Sequence, residues 1–414
     1  MDSLLISGGR KLSGELKVSA SKNACLPILF ATLLSEKDIV LKSLPALRDI
    51  NTSVQLLKEM GATVEGDLVS LNINCANINK TEAPYELVKT MRASVLVLGP
   101  LLARFGTAKV SLPGGCAIGG RPVDIHLSNF EKMGASIKIE NGYINASAKK
   151  LIGAQLDLSF PSVGATENLM MAAVLAEGET IINNAAKEPE IEDLADFLNS
   201  MGGQITGHGT STIKIIGVNK LTSCTYSPIG DRIEAATFLL TGLLTDSTLK
   251  VSNFKTKHLS SVFSILKEMG ANISVAENEA TVFPSQLTGA KVTTMPYPGF
   301  PTDIQAQLMT LMCRAEGVSV ITEKIFENRF MHVPELIRMG ANIKVEGKSA
   351  IISGGDTFVS APVMCTDLRA SAALVMAALI ANGESKISRI YHLDRGYEEI
   401  EAKLSRVGAE IKRV

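Results

Sequence analysis

The nine residues ILKEMGANI (265–273) read as the end of one structural element and the start of the next. Leu259, Val262, Leu266 and Met269 recur at the spacing of a helix with one apolar face. Gly270 follows, and a residue without a Cβ takes the left-handed conformation that ends a helix without a clash. Ala271, Ile273 and Val275 then alternate with polar neighbours, the pattern of a strand with one face buried. The phrase returns as LLKEMGATV, NFEKMGASI, FLNSMGGQI, ELIRMGANI and KLSRVGAEI, so that its glycines are Gly61, Gly134, Gly202, Gly270, Gly340 and Gly408. Their separations, 73, 68, 68, 70 and 68 residues, make the chain six copies of one unit.

Each copy also carries a second, far more apolar helix followed by a strand: CLPILFATLL, SVLVLGPLLARF, NLMMAAVLA, AATFLLTGLL, IQAQLMTLMC and AALVMAALIA. A helix apolar on nearly all sides is buried, while its amphipathic partner, with Tyr397, Ile400, Leu404 and Val407 as a second example, covers a surface. The expected fold is α/β (α+β): six repeated strand-helix units forming two inside-out α/β domains of three units, with buried helices and outer sheets.

Composition narrows the function. The 414 residues include 41 Lys and Arg against 42 Asp and Glu, a net charge of -1, so no overall basic field serves nucleic acid or an anionic membrane. An anionic ligand must be met by locally clustered cations. Six scattered cysteines without a C-x-x-C pair, and five histidines without H-E-x-x-H, support neither a disulfide framework nor a metal site. The start MDSLLISGGRK lacks a basic segment ahead of a long apolar run, and the apolar stretch 24–34 is about half a bilayer span. A cytoplasmic protein with reduced thiols and no membrane insertion is expected.

Charged and polar residues stand at the starts of the apolar helices: Lys22 and Asn23, Arg92, Thr166 and Glu167, Asp231 and Arg232, Asp303, and Asp367 with Arg369. Buried helices aiming their N-termini at a shared cleft would offer N–H groups and positive dipole ends to an anion. Capping is the alternative for Asp303 and Asp367. It does not account for Lys22, Arg92 and Arg232, because a cation at that end opposes the dipole.

The densest chemical segment is LPGGCAIGGRPVDIHL (112–127). Gly120-Arg121 stands where a triphosphate-binding loop needs Gly-Lys-Ser/Thr, which excludes that reading. Glycines flanking Cys116 suggest instead a loop presenting a thiol beside Arg121, a setting that makes a cysteine reactive. The other five cysteines read as inert packing.

The chain resembles the UDP-N-acetylglucosamine 1-carboxyvinyltransferases of the enolpyruvyl transferase family over essentially its whole length. The motifs that carry the likeness are SKNACLPIL (21–29), MRAS (91–94), PGGCAIGGRPVDIH (113–126), PSVGATEN (161–168) and AAKEPEI (185–191). They continue through YPGFPTDIQAQ (297–307), ENRFMHVPEL (327–336), TDLRA (366–370) and HLDRGYEEI (392–400). The resemblance implies transfer of enolpyruvyl from phosphoenolpyruvate to the 3-hydroxyl of UDP-N-acetylglucosamine with release of phosphate, an early step of peptidoglycan synthesis and hence of cell shape and division. It implies no cofactor or metal, and a cleft between domains of residues 21–229 and of 1–20 joined to 230–414, closing on substrate.

By the same resemblance, Lys22, Arg121 and Arg395 hold the phosphate and carboxylate of phosphoenolpyruvate, and Asn23 touches substrate and intermediate. Asp303 deprotonates the sugar hydroxyl. Cys116 protonates C3 or forms an adduct with phosphoenolpyruvate, and is alkylated by fosfomycin in members that carry it. Arg92, Arg121, Pro122, Val123, Asp124, Ile125, Ser162, Val163, Gly164 and Ile325 contact the nucleotide sugar.

Ala20-Ser21 replaces a common Gly-Ala, Gly120 stands where a small residue with a side chain is frequent, and Phe160 where some relatives place a lysine against the diphosphate. Three other readings stand beside this one. A sister enzyme acting on shikimate 3-phosphate is expected to carry Asp-Lys-Ser in place of Ser21-Lys22-Asn23. A non-catalytic sensor of the nucleotide sugar would not need Lys22, Cys116, Asp303 and Arg395 together. A six-repeat ring around nucleic acid would need net positive charge.

Overall fold

The computed structural model describes residues 2–89, 91–112, 123–355 and 357–414, with Arg92 described in its backbone only. These fall into two compact units, 2–19 with 230–414 and 20–112 with 123–229.

The third repeat shows how one copy is built. The strand Gln155–Asp157 leads into the buried helix Val163–Ala173, which returns to the parallel strand Glu179–Asn183. The amphipathic helix Pro189–Ser200 follows, and an antiparallel pair, Gln204–Thr206 and Thr212–Ile216, completes a four-stranded sheet. Six such sheets occur among the described residues, each with one parallel and two antiparallel pairings. The alternating burial of Thr212–Ile216 turns one face of its sheet inward, whereas all thirteen residues of the helix Arg232–Leu244 are buried. In each unit, therefore, helices form the core and sheets the surface. Thr237, Thr241 and Thr245 fit that core by donating their hydroxyls to the carbonyls four residues back.

The repeats do not respect chain order at the two places where the chain changes unit. Ser13–Lys17 pairs with Thr248–Ser252 in one unit, yet the helix after it, Lys22–Ala31, belongs to the other. Reciprocally, Cys224–Tyr226 pairs with Ile39–Lys42 while the next helix, Arg232–Leu244, belongs to the first unit. A buried carboxylate fastens the chain beside each passage. Glu234 accepts from Ser19 N at 2.8 Å and from Lys403 Nζ at 2.6 Å, and Asp193 accepts from Ile229 N at 3.1 Å and from Tyr226 Oη at 2.7 Å. Burial, outweighing Lys403, pushes Glu234 from the usual 4.5 up to about 7, and burial likewise pushes Asp193 up to about 6. Because the folded protein binds the Glu234 proton more tightly than the unfolded chain, the contribution of this group to stability falls as pH rises from about 4.5 to about 7. Glu234→Gln cannot titrate there, so denaturation midpoints of wild type should decline relative to that variant across this window. Parallel midpoints would remove the raised carboxyl from the account.

The six phrase glycines all take the left-handed conformation, with φ from 90° at Gly134 to 108° at Gly61. Gly202→Ala would place its Cβ in open space and pay only the left-handed penalty, about 1–2 kcal/mol. At Gly61 the new Cβ would also lie 2.7 Å from the Asn77 carbonyl oxygen, so Gly61→Ala should lower the urea midpoint further. Equal losses would show that Asn77 moves aside without cost.

One expectation from the first phrase is corrected. Leu259, Val262, Leu266 and Met269 are buried, but Ala271 and Ile273 are only partly so and Val275 is 43% exposed. The strand Ile273–Val275 lies at the edge of its sheet, where the core covers only its first residues.

Candidate active site

In the unit of 20–112 and 123–229, Lys22 is the first residue of a buried helix whose capping position, Ser21, makes no side-chain cap. A cation there opposes the helix dipole, and Asp49 offsets it: Lys22 Nζ lies 3.7 Å from Asp49 Oδ2, with the lysine side chain 12% and the aspartate 4% exposed. Asn23 follows, half-buried, and Pro27 has no N–H to return to its carbonyl. Arg92 begins the turn Arg92–Val97.

Ser162 caps the helix Val163–Ala173 by accepting from Ala165 N at 3.3 Å. Val123 occupies the same position before the helix Asp124–Lys132, with Asp124 exposed and Ile125 half-buried. The side chains of Asn168 and His126 tie these helix starts together. Asn168 Oδ1 accepts from Gly99 N at 2.7 Å, while its Nδ2 donates to Val95 O and to His126 Nδ1, both at 3.1 Å. That arrangement puts the imidazole proton on Nε2, whose ring edge lies beside Gly164. Behind the helix start, Glu167 is buried. Burial first, then the charges of Glu190 and Glu188, raise its carboxyl well above the usual range and favour a neutral acid.

In the other unit, Asp303 sits in the turn Thr302–Ile304 ahead of the helix Gln305–Met312. It is not a cap, which corrects one of its two readings. Its Oδ1 accepts from Arg329 Nη2 at 2.9 Å and its Oδ2 from Arg369 Nη2 at 3.1 Å. The arginine side chains are 4% and 3% exposed against 28% for the aspartate, so the carboxylate forms the partly open end of a buried ion triad. Burial would lower the Arg369 pKa, but the charge of Asp303 reverses this and the guanidinium is held more strongly protonated than usual. Asp367 and Asp231 do cap, each accepting from two backbone N–H groups at the starts of Leu368–Ile380 and Arg232–Leu244.

Around the triad, Gln307 Nε2 lies 3.1 Å from Asp303 O, Thr237 Oγ1 and Tyr397 Oη, and the Tyr397 ring lies 5.6 Å from the Arg369 guanidinium. Arg395 ends the turn Ile390–Arg395, half-buried; burial and then the Arg395 charge lower the pKa of His392. Ile325 is half-buried, with its N–H on Glu323.

The structure thus joins Asp303 to Arg369 and adds two residues that sequence reasoning did not single out, Arg329 and Asp49. Arg329 lies inside ENRFMHVPEL, but nothing in the spacing couples it to a carboxylate 26 residues earlier. Cys116, Arg121 and Pro122 lie outside the described residues. Among those described, no group of three or more His, Cys, Asp or Glu side chains is placed to hold a metal, and no helix is long and apolar enough to cross a membrane.

Residues 6–404 match the family model described as EPSP synthase (3-phosphoshikimate 1-carboxyvinyltransferase). A curated UDP-N-acetylglucosamine 1-carboxyvinyltransferase of Geobacter metallireducens is 53% identical over 415 residues, covering 100% of both chains. The chain belongs to the UDP-N-acetylglucosamine 1-carboxyvinyltransferase family of enolpyruvyl transferases. A second relative so named, from Hydrogenovibrio crunogenus, is 54% identical over 416 residues and likewise covers 100% of both chains. Among solved structures, the enolpyruvyl transferase NikO from Streptomyces tendae shares the fold with a TM-score of 0.91 at 24% identity, covering 100% of this chain and 99% of NikO. EPSP synthase of Acinetobacter baumannii gives 0.79 at 20% identity over 100% of both chains. The inside-out α/β architecture expected from the repeats is that of enolpyruvyl transferases.

Proposed function

We propose that this enzyme transfers the enolpyruvyl group of phosphoenolpyruvate to the 3-hydroxyl of UDP-N-acetylglucosamine, releasing phosphate, in the cytoplasm and on the way to peptidoglycan. The observation that carries the choice of acceptor is identity of 52–55% along the full chain to relatives named for that acceptor, against 20% to EPSP synthase. The segment Ser21-Lys22-Asn23, in place of the Asp-Lys-Ser expected for shikimate 3-phosphate, supports the same choice.

The chemistry is addition followed by elimination. The sugar oxygen loses its proton and attacks C2 of the enol while C3 gains a proton. C3 then gives a proton up as the C2–O bond to phosphate breaks and the double bond returns. In this reading Asp303 takes the hydroxyl proton, and Lys22, Arg121 and Arg395 balance the charge of phosphoenolpyruvate. Asn23 touches substrate and intermediate, and Cys116 serves C3. The nucleotide sugar lies against Arg92, Arg121, Pro122, Val123, Asp124, Ile125, Ser162, Val163, Gly164 and Ile325. The cap at Ser162 and the anchoring of His126 through Asn168 support the last assignment, because they fix Val163, Gly164 and the start of the Asp124–Lys132 helix.

Phosphate release from phosphoenolpyruvate should require UDP-N-acetylglucosamine and should not be supported by shikimate 3-phosphate. Release with shikimate 3-phosphate, or tight binding of the nucleotide sugar without release, would replace the reading by the sister reaction or by a sensor.

A further inference from the structure

The chemistry above leaves one buried carboxylate unused. Glu323, just beyond the strand Val318–Thr322, is 2% exposed. Its Oε1 accepts from Ile325 N at 2.7 Å, Thr294 Oγ1 at 2.8 Å and Phe326 N at 3.1 Å, and its Oε2 accepts from Thr302 Oγ1 at 2.9 Å. Thr294 strengthens the knot by accepting from Lys324 N at 2.9 Å. A single side chain therefore joins three segments: residue 294, the turn Thr302–Ile304 and the loop 323–326.

Two of those segments carry residues assigned above. Thr302 is bonded to the residue that presents the Asp303 carboxylate, and Ile325 is assigned to the nucleotide sugar. Phe326, on the same knot, lies with its ring 5.3 Å from the guanidinium of Arg329, the partner of Asp303. Burying a carboxylate is costly, and here four neutral donors satisfy it. What the carboxylate adds is a fixed relation between its two oxygens, one holding the Ile325 loop and the other the Asp303 turn.

We propose that Glu323 is a positioning residue of the transfer reaction, holding the proton-accepting turn of Asp303 and the nucleotide-sugar loop of Ile325 in one geometry. The inference rests on the proposed function.

The test compares wild type with Glu323→Ala, Glu323→Gln and Thr302→Val in kcat and KM per folded molecule, together with amide exchange at 302–304 and 323–326 without substrate. Glu323→Ala should lose protection at Ile325 and Phe326, raise KM for UDP-N-acetylglucosamine, and lower kcat by about tenfold or more, toward the ~10²-fold cost of a 1 Å misplacement. Glu323→Gln keeps an acceptor for the two backbone N–H groups and offers its amide N–H to the Thr302 hydroxyl, so it should recover to within about threefold of wild type. Thr302→Val cuts only the link to the Asp303 turn and should lower kcat at unchanged KM.

A merely structural Glu323 would lower the melting point and leave kcat and KM of the folded fraction unchanged; that result overturns the proposal. If Glu323→Ala does not fold, an unchanged kcat in Thr302→Val does the same. The exchange measurement needs no substrate. Wild type that releases no phosphate would refute the functional reading, while exchange at Ile325 and Phe326 still decides whether Glu323 holds the loop.

Discussion

Asp303→Asn should lower turnover by about 10²–10⁴, roughly 3–5 kcal/mol of barrier, because it removes the group proposed to take the hydroxyl proton. From sequence, this substitution looks nearly silent for folding, since asparagine keeps the size and most hydrogen bonds. The ion triad changes that expectation. Asparagine would leave the Arg329 and Arg369 guanidiniums, both buried, facing one neutral amide. Removing one partner of a buried pair costs roughly 3–5 kcal/mol, and the 28% exposure of Asp303 reduces that figure through solvent screening. Turnover must therefore be counted per folded molecule, at a temperature where the variant is fully native. A fall of less than about threefold on that basis would leave Asp303 as the tie between two arginines and place the base elsewhere. The triad also shapes the chemistry itself. Both arginine bonds are charge-assisted, so if Asp303 accepts a proton it gives up part of the triad's stabilisation as it becomes neutral.

How much of this was legible in the sequence follows from how local each feature is. Gly61, Gly134, Gly202, Gly270, Gly340 and Gly408 could be read as helix ends because a left-handed residue is a property of a few neighbouring bonds, and all six have positive φ. The buried helices could be read because an all-round apolar run has one stable environment, and Arg232–Leu244 is buried throughout. Asp367 was legible as a cap for the same local reason. Asp303 was not, because its partners come from positions 329 and 369 and the choice between a cap and an ion triad is made by tertiary packing. Glu323 was missed altogether: Thr294 and Thr302 reach it from a different strand connection. Lys22 stands out in the sequence because it opposes the helix dipole, which pointed to an anionic ligand; the counter-charge of Asp49 beside it comes from tertiary packing and was not legible. The edge strand at Val275 failed in the opposite sense, since alternation marks two faces but says nothing about how far the core extends beneath one of them.

Fosfomycin should add once to this protein, at Cys116, and faster when UDP-N-acetylglucosamine is present. Cys116 lies outside the described residues; its sequence neighbours and the state of the other thiols set it apart. Arg121, five residues away in a glycine-rich segment, would draw in the phosphonate and favour the thiolate. The sulfur attacks an epoxide carbon, an S–C bond forms as the C–O bond breaks, and the ring oxygen takes up a proton, leaving a thioether and a hydroxyl. The mass gain is thus that of one intact inhibitor. The competing thiols are disfavoured by their surroundings. Cys25 and Cys313 are fully buried, burial pushes Cys75 and Cys365 up to about 11, and burial raises half-buried Cys224 above its usual value. A thiol with a pKa of about 11 is ionised at pH 7 in roughly one molecule in 10⁴, against a few in a hundred for an unperturbed one. Intact and peptide mass spectrometry with and without the nucleotide sugar reads both site and rate. Cys116→Asp should escape modification yet keep phosphate release, because a carboxylic acid with a raised pKa also donates a proton to C3. Modification at Cys25, Cys75, Cys224, Cys313 or Cys365 in its place, or none when the nucleotide sugar is bound, would take Cys116 out of the phosphoenolpyruvate site.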